Sequence, residues 1–206
     1  MSNMERFEQA LYREASLAFD QIVRQYKDDI YVIGFYHFGG WDGVLPMVNT
    51  TSYLNSCCHQ AEDECERIGF KWNPGEFIDV EDYGKDFIST DEEMQNLHGE
   101  WDEPDEAIAA RWQQALDTMC RVLVRLDQDG VFSAISDRSS FVLYVATYDE
   151  SYEDGYERIV KMNPQEAIDQ VEAEFSALIQ NEQQIEQEAM DRYREMLIDR
   201  NQDRLS

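Results

Sequence analysis

The chain has 206 residues, 43% of them apolar and 12% aromatic, which suits one domain with a real core and is too apolar for a disordered chain. It carries 44 Asp and Glu against 17 Lys and Arg, a formal charge of −27. That charge repels nucleic acid and anionic membrane surfaces; it suits a basic partner, bound cations, or solubility alone.

No run of about 18 apolar residues is present to span a bilayer. The N-terminal MSNMERFEQALYREASLAFDQ lacks the apolar core of a secretory signal. Cys57, Cys58, Cys65 and Cys120 therefore read as reduced thiols, and the expected location is cytoplasmic.

In chain order, residues 4–26 put Phe7, Leu11, Ala15, Ala18, Phe19, Ile22 and Tyr26 on one helical stripe. The period then changes. IYVIGFYHF (30–38) reads as a strand, GGWDG as a turn, and VLPMVN (44–49) as a second strand, the two forming a hairpin. Pro46 has no N–H, so its strand is expected at an edge or at a bulge. Thr50, Thr51 and Ser52 offer a cap for a helix running to about Ile68 and stopped by Gly69.

Residues 79–106 have little periodicity and read mainly as loop. Ile108, Trp112, Leu116, Met119, Leu123 and Leu126 define a helix over 105–128, ended by Gly130. SFVLYVAT (140–147) has the unbroken apolar run of a central strand, and residues 156–161 are expected to pair back on it as a second hairpin. A long helix then runs from Pro164. Its first half carries Ile168, Val171, Phe175 and Leu178. Beyond Asn181 the stripe thins to Ile185, Ala189, Tyr193 and Leu197. The expected organisation is a single domain over 1–180, with 181–206 an extension of the last helix that projects or pairs with another chain. The fold class is α+β: a mostly antiparallel sheet built from hairpins, with helices packed against it and a long C-terminal helix.

Two stretches share Asn-Pro-x-Glu: WNPGE at 72–76 and MNPQE at 162–166. Asn can cap a helix, Pro at the next position loses nothing by lacking its N–H, and Glu can reach back to the cap. Both stretches are read as helix starts rather than sites, with Asn163 capping the last helix.

The order of these signals also carries a resemblance: IYVIGFYHF…VLPMVNT, a helix, the KWNPGEF corner, a helix ending LVRLDQDGVF, then FVLYVATYD and RIVKMNP. Over roughly residues 5–180 it resembles the bacterial domain of unknown function 4303. An aromatic like Trp is expected from that family at the end of the corner; Phe77 stands there. The resemblance implies an immunity-type protein of polymorphic-toxin systems, and it supplies no catalytic residues.

Chemistry-bearing clusters are sparse. In CCHQAEDEC (57–65), Cys58 and Cys65 on one helix would lie about 10 Å apart along the axis, too far for a zinc ion to bridge. His59 with Asp63 makes only two ligands. His37 lies in a strand, and His98 in the acidic segment with no nucleophile motif beside it. GxSxG, P-loop, GxGxxG and HExxH patterns are absent from the sequence. No metal, no cofactor and no enzymatic activity is expected.

Two acidic windows remain. Residues 79–106 hold twelve acids against Lys85 alone; the residues proposed to contact a partner there are Asp91, Glu92, Glu93, Trp101, Asp102 and Glu103. Residues 148–157 interleave Tyr148, Tyr152 and Tyr156 with Asp149, Glu150, Glu153 and Asp154. Rings supply buried area and carboxylates supply steering, so this pattern fits a contact surface for a basic protein. Tyr152 is the expected anchor. The leading reading is an acidic immunity protein that neutralises a cognate toxin by direct binding. The alternatives are a structural or adaptor protein assembling through its last helix, and an enzyme of unknown chemistry.

Overall fold

The computed structural model describes residues 1–38, 41, 43–58, 61, 63–78, 83, 85, 87–99, 104–148 and 150–203, with backbone alone at 195 and 197–203. Helix α1 (Asn3–Tyr26) opens on a capping box, the Glu5 N–H donating to Ser2 Oγ at 3.2 Å and the Ser2 N–H to Glu5 Oε2 at 2.6 Å. Strands β1 (Ile30–His37) and β2 (Val44–Thr50) follow. Then come α2 (Thr51–Cys57), α3 (Glu64–Trp72), α4 (Ile88–Gln95) and α5 (Asp105–Gln128). Strand β3 (Val142–Thr147) precedes α6 (Tyr152–Met162) and α7 (Gln165–Asp203).

Three local elements differ from the sequence expectation. The helix expected over 51–68 is two helices, because Asp63 takes the Glu66 N–H at 2.9 Å and starts α3 afresh. The segment 79–106 contains α4; its N-terminal amides at Ser89 and Thr90 are held by the Glu14 carboxylate of α1, at 3.2 and 2.9 Å. This is a tertiary cap that no local pattern reveals. Residues 156–161 belong to α6, not to a strand.

The sheet has order β2-β1-β3, with β1 antiparallel to β2 and parallel to β3. It is therefore mixed, not mostly antiparallel, and β1 rather than β3 is central. Strand β2 is an edge, as Pro46 requires. The apolar run of β3 reflects burial on both faces, not a central position. Leu143 and Val145 face a core built with α1 and α5 around Phe7, Phe19 and Leu123. Val142, Tyr144 and Ala146 face a second core built with Trp72, Ile159, Val171 and Phe175.

Gly34, in the middle of β1, is paired with Tyr144 of β3. A Cβ at Gly34 would sit 1.7 Å from the Tyr144 carbonyl oxygen, so β3 can lie alongside β1 here only because residue 34 has no side chain.

The outer edge of β3 is closed by side chains. Asn163 accepts from the Leu143 N–H at 2.7 Å and donates to the Leu143 carbonyl at 2.8 Å, imitating a neighbouring strand. Arg158 donates to the Val145 carbonyl at 2.8 Å, and Glu150 accepts from the Thr147 N–H at 2.9 Å. Arg158 and Glu150 also form an ion pair with each other. Among the described residues no fourth strand pairs here; α6 and the residues on either side of it deliver the polar groups that an edge strand lacks. Asn163 consequently does not cap the last helix. Its amide donates also to the Ile159 carbonyl at 2.8 Å and accepts from Arg138 at 3.0 Å.

Two stability predictions follow from these contacts. Gly34→Ala is expected to cost roughly 4 kcal/mol or more, since backbone must move to admit the methyl group; urea denaturation checks it, and a loss below 1 kcal/mol refutes the close approach. Asn163→Ala is expected to cost about 3 kcal/mol, because it strips both backbone groups of buried Leu143 of their partner. A loss of only about 1 kcal/mol is what a helix cap alone gives.

Candidate functional site

The carboxyl ends of β1 and β3 lie side by side, and beyond them opens a cleft of about 200 Å³. Tyr36 comes from β1, Tyr144 from β3, Tyr148 and Glu150 from the loop after it, and Tyr152 from the start of α6. Trp72, Asn73 and Pro74 form the opposite wall.

That wall is the KWNPGEF stretch. It is a corner, as its capping pattern predicts: Asn73 Oδ1 accepts from the Gly75 N–H at 3.0 Å, and Pro74 opens a single 3₁₀ turn over Pro74–Glu76. Trp72 is buried, and its indole N–H donates to Glu174 of α7 at 2.7 Å. Lys71 Nζ binds the same carboxylate at 2.7 Å and lies 5.1 Å from the centre of the Trp72 ring. The corner is thus bolted to α7. Phe77 is buried where a second large aromatic was expected.

The acid-and-Tyr window divides into structural and free members. Tyr148 is 67% exposed while its N–H donates to the His37 carbonyl at 2.8 Å. Glu153 and Asp154 are exposed, Asp154 in the first turn of α6, where Ser151 Oγ accepts its N–H at 3.1 Å. Glu150 is turned inward onto Arg158 and Thr147. Tyr152 is half-buried, with its N–H on Glu182 at 3.1 Å. Tyr156 is half-buried and stacks on Phe175, 5.2 Å between ring centres. Asp149 lies outside the described residues.

Two exposed-edge aromatics escaped the sequence reading. Tyr36 packs edge-to-face on Phe38 at 4.9 Å, and Phe38 is 50% exposed. Their i, i+2 spacing at the end of β1 was the available signal, since it places both on one face. Burial, then the nearby Tyr148 and Glu150, push the Tyr36 hydroxyl above its ordinary pKa. Burial, then Glu182, do the same at Tyr152. Both hydroxyls therefore remain neutral donors at physiological pH.

The part of the other window around Asp91 lies at the same end of the sheet but behind its opposite face. Asp91 points inward, accepting from the Val44 N–H at 3.3 Å, and burial raises its pKa. Glu93 pairs with Arg6 at 3.0 Å, while Glu92 is exposed. Trp101, Asp102 and Glu103 lie outside the described residues.

Cys57 and Cys58 are adjacent at the end of α2, while Cys65 is exposed on α3 and Cys120 is on α5. Among the described residues no group of three or more His, Cys, Asp or Glu is placed to hold a metal ion. His59 lies outside them. His37 is buried and packs edge-to-face on Trp112 at 4.5 Å. No described helix is long and apolar enough to cross a membrane.

These placements move the expected anchor from Tyr152 to Tyr148. Tyr148→Ala is expected to change stability by less than about 0.5 kcal/mol, as an exposed side chain should. Tyr152→Ala, which loses packing against the core that contains Trp72 and Phe175, is expected to cost about 2 kcal/mol. Thermal denaturation of both variants checks the assignment; equal losses would refute it.

No curated protein and no solved structure matches this chain. A family model does match, over residues 11–164, and it spans β1 to α6 together with the whole lining of the cleft. The chain belongs to the family described as domain of unknown function DUF4303.

Proposed function

We propose that this chain is an acidic binding protein that neutralises a cognate bacterial toxin by direct contact, as an immunity protein does, and that it acts in the cytoplasm. The observation that carries the reading is an aromatic group, half-buried Tyr36 with exposed Phe38 and Tyr148, at a tyrosine-lined cleft next to Glu153 and Asp154 on a chain of charge −27. Aromatic anchors beside free carboxylates are what a basic protein surface needs. A Lys or Arg of the partner enters the cleft over the tyrosine faces, held by the attraction of a cation to an aromatic ring. The carboxylates act earlier, by drawing the partner in. Their reach is about 8 Å at physiological salt, so they govern encounter more than residence. The reading requires no catalytic residue, metal or cofactor.

Association and dissociation rates, measured with the cognate toxin from the native strain across a salt series, test it. Glu153→Gln with Asp154→Asn is expected to slow association and flatten its salt dependence. Tyr148→Ala is expected to speed dissociation roughly tenfold, the effect of a hot spot worth about 1.4 kcal/mol. An association rate indifferent both to salt and to the neutralised pair removes the steering argument. A dissociation rate unchanged in Tyr148→Ala removes the cleft.

A further inference from the structure

Helix α7 has 39 residues, and the last buried side chain among those described is Leu178. At about 1.5 Å per residue, the portion from Asn181 to Asp203 extends some 35 Å past the core. An isolated helix of that length is marginal in water unless its apolar face is covered. The face is there: Ile185, Ala189, Tyr193 and Met196 fall within an arc of about 80° at 100° per residue. Ile185, Tyr193 and Met196 are 55%, 57% and 58% exposed, so nothing among the described residues covers this stripe.

Charge selects the cover. Between Asn181 and Asp191 the helix carries Glu182, Glu186, Glu188 and Asp191 and no base; from 192 to 203, Arg192, Arg194 and Arg200 balance Glu195, Asp199 and Asp203, so that half is neutral. A second helix of the same kind laid parallel would set the acidic half against itself. Laid antiparallel, it sets each acidic half beside the other's neutral half and brings Glu186 opposite Arg192. With Ala189 at the crossing, Ile185 of one copy meets Tyr193 of the other and the reverse, the reciprocal arrangement of a two-fold interface, and the small alanine lets the axes approach.

We infer that α7 pairs antiparallel with the α7 of a second copy of this chain, through the stripe Ile185, Ala189, Tyr193 and Met196. The inference is independent of the cleft, which lies on the body of the protein. Light scattering on the full chain over a concentration series is expected to show the mass of two 24.2 kDa chains, falling to one on dilution. Ile185→Glu and Tyr193→Glu are each expected to yield the single-chain mass, and circular dichroism confirms that the body remains folded. Orientation is read by oxidising a mixture of Ile185→Cys and Tyr193→Cys chains: mass spectrometry of the peptides is expected to find the 185–193 disulfide between them. A single-chain mass at every concentration overturns the inference. So does a dimer that survives both glutamate substitutions, or a 185–185 disulfide dominating in the mixture.

Discussion

The approach of β3 to β1 at Gly34 is the constraint on which the rest of the structure depends. Hydrogen bonds fix the separation of adjacent strands at about 4.8 Å, and at this point the space a Cβ would occupy is filled by the carbonyl of Tyr144. Parallel pairing then has consequences along both strands. It sends β1 and β3 out of the sheet at the same end, which creates the cleft. It also requires a long crossover, and α2 to α5 supply it. Part of that crossover covers one face of the sheet while α3, with α6 and α7, covers the other.

A three-stranded sheet leaves β3 with an open edge, and closing that edge explains much of the local chemistry. Asn163, Arg158 and Glu150 supply bonds to Leu143, Val145 and Thr147 that a fourth strand would have supplied. The Arg158–Glu150 pair is almost wholly shielded from water, with side chains 8% and 13% exposed. Its charges are tolerated there because each also hydrogen-bonds to β3 backbone, which offsets desolvation. A carboxylate so placed is a structural element. The acid-and-tyrosine segment is consequently not a uniform surface: its inward members hold the sheet edge and α7, and that leaves Tyr148, Glu153 and Asp154 facing solvent.

The Trp72 corner joins these two themes. The same three residues that turn the chain after α3 close one side of the cleft, and Glu174 holds them there through both the indole N–H and the Lys71 ammonium. Corner and site are not alternatives for KWNPGEF. A turn pinned at a helix and open on one side makes a rigid wall of the cleft.

Elements with local signals were legible in the amino-acid sequence. The stripe of α1, the span of α5, the β1–β2 hairpin and the edge position of Pro46 all follow from periodicity and from a missing N–H, and these act within a few residues. The order of those signals also carried the family. Tertiary structure decided what depends on partners far along the chain. The parallel pairing of β3 rests on a glycine more than a hundred residues earlier. The start of α4 rests on Glu14 in α1, and the helical state of 156–161 rests on an edge that wants side chains rather than a strand. The candidate site divides in the same way. Tyrosines among acids were legible, but which of them point outward was not. Burial is set by what packs against each residue, and Phe175, Glu182 and Arg158 all reach this segment from elements that follow it or from its own far end.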